Sequence, residues 1–174
     1  MIGFENINAG VERFSVVNKK VFRYVFSIFL VVFITGCSTG REVLNFDTLA
    51  ELQISATNDI NLDDDGRPSP LVIRVFKLAD ARQFEREDFL ALYEQAEDRL
   101  GRDLLGTVKL KEIAPGENRL EEIELTPEVR YLGVMAEYSR YGDTKTMLVL
   151  PVRAHYGNDF SVIADERGLA QSSD

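Results

Sequence analysis

Few side chains in this sequence have the chemistry to react or to hold a metal. The chain has one cysteine, Cys37, one histidine, His155, and no tryptophan. A Cys/His zinc site or a nucleophile paired with a histidine therefore has almost no material to draw on. There is no Gly-x-Ser-x-Gly, no glycine-rich phosphate loop and no His-Glu-x-x-His. His155 stands in Arg153-Ala154-His155-Tyr156-Gly157, after an apolar stretch. An edge or surface histidine is the ordinary reading there, a general base the rarer one. Adjacent carboxylates such as Glu121-Glu122 and Asp63-Asp64 are too common in an acidic chain to signal glycosidase chemistry. The sharpest metal candidate begins at Asn61, where Asn-x-Asp-x-Asp-Gly places Gly66 at position six, as in an EF-hand loop. Position twelve should be a bidentate glutamate but is Val72. A solvated acidic loop is the better reading, and neither an enzyme nor a resident metal or cofactor is expected.

Cys37 gains its meaning from what precedes it. Val25 to Ile34 (VFSIFLVVFI) is an apolar run broken only by Ser27, with Arg13, Lys19, Lys20 and Arg23 ahead of it. A basic start, a short apolar core and small residues at its end describe a secretory signal peptide. The run falls short of the roughly 20 apolar residues of a transmembrane helix. Ile34-Thr35-Gly36-Cys37 resembles the bacterial lipobox, in which the cysteine thiol is lipidated and its amine becomes the new N-terminus. A lone thiol in an exported chain has no intramolecular disulfide partner, which fits that role. Two or three acyl chains anchor stably where one binds marginally. Ser38, rather than aspartate, follows the cysteine. By that resemblance the outer membrane is the destination, with the domain facing the periplasm.

This divides the chain into a signal peptide (1–36), a lipidated cysteine with its tether (37–47) and one domain (48–174). Of 20 basic and 29 acidic residues, four basic and two acidic lie in the leader, leaving 16 and 27 and a formal charge of −11 for residues 37–174. Such a balance does not support a nucleic-acid groove. It favours solubility or a partner with a basic face.

The domain reads as mainly β. From Leu49, Leu52, Ile54 and Ala56 alternate with Glu51, Gln53 and Ser55, the period of a half-buried strand. Residues 58–70 hold turn formers and two prolines and form an exposed loop. Leu71 to Leu78 (LVIRVFKL) is apolar on both parities, a strand buried on both faces. Between Asp80 and Leu100 the period changes: Phe89, Leu92, Tyr93, Ala96 and Leu100 form a helical stripe, and Gly101 is placed to stop it. Ala79 to Phe84 can add a separate helical turn. Strands follow at Leu105–Ile113, Arg119–Leu125, Tyr131–Tyr138, Thr146–Val152 and Phe160–Ala164, with a type II turn at Pro115-Gly116 and a polar tail from Glu166. About seven strands and one helical insertion between the second and third predict a two-sheet β-sandwich.

Several motifs in order carry a family resemblance. Asn61 to Leu78 (NLDDDGRPSPLVIRVFKL), then Phe84, Asp88, Phe89 and Leu92, Leu100-Gly101-Arg102-Asp103-Leu104, Pro115-Gly116-Glu117 and Tyr131 to Tyr138 (YLGVMAEY) resemble TssJ, the outer-membrane lipoprotein family of type VI secretion systems. The sequence departs from the pattern at Leu62, where a proline often stands, and lacks a tryptophan after Tyr138. The resemblance implies a transthyretin-like sandwich with a helical excursion and a non-catalytic role. Such a protein is an adaptor of the secretion membrane complex, binding the periplasmic C-terminal region of TssM. The alternative is a lipid-anchored solute-binding or pilot protein of another envelope system.

In that family the loop joining the first two strands contributes to the TssM contact, which here implies Asp59, Ile60, Asn61, Leu62, Asp63, Asp64, Asp65, Gly66 and Arg67. The loop is long for a hairpin-type connection, where two to five residues suffice. Ile60 and Leu62 are apolar residues that a solvent loop has no reason to carry. Either they insert into a partner's groove while the carboxylates steer encounter, or they fold back onto the sandwich edge.

Overall fold

The structure, a computed structural model, describes residues 48–153 and 157–172. The leader, Cys37, the tether and His155 lie outside the described residues.

The chain forms the expected transthyretin-like sandwich from two four-stranded sheets. In chain order the strands are β1 (Thr48–Ala56), β2 (Ile73–Leu78), β3 (Leu104–Lys109), β4 (Asn118–Leu125), β5 (Tyr131–Ala136), β6 (Met147–Pro151), β7 (Asn158–Asp165) and β8 (Gly168–Gln171). One sheet runs β4-β1-β7-β8 and the other β3-β2-β5-β6. All pairings are antiparallel except β1 with β7, where Leu52 lies opposite Phe160. The alternation read in β1 is realised: Ala50, Leu52, Ile54 and Ala56 are buried between the sheets, and Glu51 faces water.

The insertion between β2 and β3 is two helices, α1 (Arg82–Arg86) and α2 (Phe89–Leu100). Asp88 caps α2 by accepting from the Ala91 N–H at 2.8 Å, and Gly101 stops it at φ 51°, a conformation glycine adopts at no steric cost. The helices cover the outer face of the β3-β2-β5-β6 sheet, which explains why β2 is apolar on both parities. Ile73 and Val75 belong to the inter-sheet core, whereas Phe76 and Leu78 join Phe84, Leu92, Leu100 and Met135 in a second core beneath the helices. Phe84 lies so close over β5 that a Cβ on Gly133 would stand 2.8 Å from its ring. Tyr93 departs from the expected buried stripe: it is 43% exposed, stacked on Phe89 and covered by the Arg74 guanidinium at 4.6 Å.

Two features differ from expectation. The strand expected over 105–113 is regular only to Lys109: its pairing with the β2 segment then slips by one residue, and Ile113 bridges Leu71 before the chain crosses to the other sheet. Arg119 fastens that crossing by donating to the Lys111 and Glu112 carbonyls at 2.7 and 2.8 Å. Pro115 and Gly116 (φ 77°) occupy the centre of the predicted turn, closed by the Glu117 N–H on the Ala114 carbonyl at 3.1 Å. The polar tail contains an eighth strand, β8, whose four residues pair with the end of β7. Its start is pressed against the segment before β6, where the Leu169 N–H donates to the Lys145 carbonyl at 2.7 Å and the Lys145 N–H to that of Arg167 at 2.9 Å. This contact ties the two sheets together along one edge.

Candidate functional site

The β1–β2 loop is folded on itself around one carboxylate. Asp63 Oδ1 accepts from the N–H groups of Asp65 and Arg67 at 2.9 and 2.8 Å, and Oδ2 accepts from Arg67 Nε at 2.9 Å. Arg67 Nη2 reaches Asp65 Oδ2 at 2.7 Å, and Gly66, at φ 74°, makes the tight bend between them. The Arg67 N–H first, then its guanidinium and the Asp65 N–H, hold the Asp63 carboxyl below its ordinary pKa. A guanidinium thus sits among the carboxylates that a calcium reading of the loop would use. Among the described residues no group of three or more His, Cys, Asp or Glu is arranged to hold a metal ion.

The residues implied by the resemblance do not all face outward. Asp59, Asp64, Asp65, Gly66 and Arg67 are exposed, while Leu62 and Asp63 are half-buried. Ile60 is wholly buried in the inter-sheet core, so of its two readings the structure shows the fold-back one. Its side chain anchors the loop and is not presented to a partner. Asn61 is also buried and is spent on structure: its Nδ2 donates to the Pro70 carbonyl at 2.8 Å, and its Oδ1 accepts from the Ser139 N–H at 2.7 Å. It holds φ 48°, a left-handed conformation that asparagine tolerates better than most residues. Ser69 Oγ donates to the Asn61 carbonyl at 2.6 Å and closes the base of the loop.

Through Asn61 the loop is fixed to the β5–β6 connection, and that connection is bonded through Lys145 to the β7–β8 turn. These three segments share one end of the sandwich and enclose a groove of about 190 Å³. Leu62 and Tyr138 line it together with Arg140, Asp143, Glu166 and Arg167. Sequence reasoning found the first loop and missed the other two segments. Ser139 is 78 residues from Asn61, and no local pattern announces their pairing.

A second groove, about 520 Å³, lies between the start of α2 and the turn at Tyr141. Phe89 and Tyr141 give it its aromatic lining. Phe84 is core, and Phe89 is stacked between Tyr93 and Tyr141 with centroids 5.7 and 4.9 Å away.

Comparison with known proteins agrees with this architecture. The family model described as type VI secretion lipoprotein, VasD, EvfM, TssJ, VC_A0113 matches residues 48–167. The chain belongs to this family of type VI secretion lipoproteins, which is not an enzyme family. The crystal structure of the T6SS lipoprotein TssJ1 from Pseudomonas aeruginosa is similar, with TM-score 0.67 and 25% identity over 74% of this chain and 98% of that one. Serratia marcescens Lip, a membrane-bound component of the type VI secretion system, matches at TM-score 0.68 and 23% identity with the same coverage. A chain in the structure of the T6SS protein TssM C-terminal domain (869–1107) from EAEC shares the fold at TM-score 0.62 and 20% identity, over 72% of this chain and 98% of that one. No curated protein sequence matches.

Proposed function

We propose that this lipoprotein is the outer-membrane adaptor of a type VI secretion membrane complex, with no catalysis of its own. Residues 1–36 direct export, Cys37 carries the lipid, residues 37–47 are the tether, and the domain beyond faces the periplasm. There it binds the periplasmic C-terminal region of a TssM-type protein through the end of the sandwich that carries the β1–β2 loop. The observation that carries this reading is the construction of that loop. Ile60 and Asn61 root it in the core and in the β5–β6 connection, so Asp59, Asp64, Asp65 and Arg67 are displayed from a fixed base rather than from a loose coil. Pre-organised binding residues lose less entropy on association. Family membership, and likeness to chains in structures of a type VI membrane complex and of a TssM C-terminal domain, support the choice of partner.

Fractionation of cells expressing the full chain tests the anchor. The wild-type protein should take up labelled palmitate and sediment with the outer membrane, and Cys37→Ser should do neither. A Cys37→Ser protein that still incorporated palmitate and stayed with the outer membrane would end the lipid-anchor reading.

A further inference from the structure

Tyr138 is a core residue with a polar end that nothing satisfies. It is 4% exposed, its side chain belongs to the inter-sheet core, and its hydroxyl has no hydrogen-bond partner among the described residues. A buried hydroxyl left unpaired costs free energy that phenylalanine at the same position does not. Burial, and then the Asp165 carboxylate, push the phenol pKa upward, so the group remains a protonated donor at any physiological pH. Tyr138 also lines the groove at the end of the sandwich, beside Leu62 of the β1–β2 loop.

Two exposed arginines stand at the same groove. Arg140 Nη2 lies 3.8 Å from Asp143 Oδ2, and Arg167 Nη2 lies 3.3 Å from Asp165 Oδ2. Their side chains are 59% and 84% exposed, against 19% for Arg119, which holds its carboxylate at 2.6 Å. Long, solvent-exposed ion pairs contribute little and rearrange readily. The hydroxyl is closed to solvent in the free domain, so a side chain at the groove must shift before a ligand reaches it. These arginines are free to do so. The Asn61 amide is held in place by its bonds to Pro70 and Ser139.

We propose that this groove is a docking pocket for an acceptor oxygen of the TssM-type partner polypeptide, with the Tyr138 hydroxyl as the donor held for it. The inference rests on the adaptor reading above and extends the contact surface from the β1–β2 loop to the β5–β6 and β7–β8 connections. The acceptor is a side-chain carboxylate or a main-chain carbonyl, and each offers the lone pair that the phenol lacks.

Tyr138→Phe separates this from a purely structural tyrosine, because it moves two quantities in opposite directions. Full-length protein extracted in detergent is titrated with the C-terminal periplasmic domain of TssM, and its thermal unfolding is followed separately. Tyr138→Phe should melt no lower than wild type yet bind about five- to tenfold more weakly, the range for one lost hydrogen bond. Arg140→Ala and Arg167→Ala then identify the acceptor. Weaker binding with a shallower salt dependence marks a carboxylate, and unchanged binding marks a main-chain carbonyl. A Tyr138→Phe protein that binds as tightly as wild type overturns the pocket while leaving the adaptor role standing. So does one that melts well below wild type, since the hydroxyl would then be satisfied in the free fold. If wild type itself does not bind, the adaptor reading falls and the pocket falls with it.

Discussion

Asn61 does the work at the residue scale that the acidic run beside it obscures. Its two side-chain bonds join Pro70 and Ser139, so it sets where the β1–β2 loop leaves the sandwich. Asn61→Ala would leave a buried N–H and a carbonyl unpaired and force alanine into a left-handed conformation. We expect a loss of about 2–4 kcal/mol, read as a lower urea midpoint with the slope unchanged. The carboxylates make a second prediction. Asp63 and Glu117 are both held below their ordinary pKa, Asp63 chiefly by the Arg67 N–H, Glu117 by the Ala114 N–H and then Arg119. A group depressed in the folded state contributes stability above its unfolded value, and that contribution is lost as pH falls through the folded one. The unfolded values are 4.5 for Glu and 3.8 for Asp. Thermal unfolding should therefore be level from neutrality to about pH 4.5 and fall below it. A midpoint that rose on acidification would contradict these assignments. Little of this was legible in the sequence: Asn61 read as a calcium-loop position or a partner contact, because its structural role depends on Ser139, 78 residues away in the β5–β6 connection.

At the scale of elements, the sequence carried most of the sandwich and all of the helical insertion. The two-sided apolar pattern of β2 was readable because its burial is double, between the sheets on one parity and beneath the helices on the other. The stop at Gly101 and the Pro115-Gly116 turn were readable because both need a positive φ that glycine supplies. What was not readable came from tertiary contact. β3 ends at Lys109 because its register against the β2 segment slips by one residue there, although the pairing resumes at Ile113 opposite Leu71. β8 is four residues long, with no alternation to mark it, and exists because β7 and the Lys145 segment are both there to pair with it. Gly168 sits in that junction at φ 124°, where a Cβ would collide with the Lys145 backbone. Gly168→Ala should cost about 2–3 kcal/mol through strain and overpacking. It should also raise hydrogen exchange at Leu169 and Lys145 before that of β1. Uniform exchange across both sheets would show that this edge is not a separate clasp.

On the scale of the whole molecule, the domain divides into a core that holds shape and an end that, in the function we propose, meets its partner. One sheet is covered by its own helices. The opposite demand, for display, is met where three connections converge around the groove. The candidate site was half legible in the same terms. The β1–β2 loop announced itself by length and charge, and its inward-facing members, Ile60 and Asn61, could be told from its outward-facing ones only in three dimensions. That distinction shapes the most direct test of the adaptor role. Asp59, Asp64, Asp65 and Arg67 are replaced together by serine, leaving Ile60 and Asn61 to hold the loop. Binding of the full-length, detergent-extracted protein to the C-terminal periplasmic domain of TssM is then measured by calorimetry. We predict clear binding by the wild type and its loss in the variant, with the thermal midpoint of the variant close to that of the wild type. Wild-type affinity retained by a folded variant would contradict the assignment of this loop as the contact.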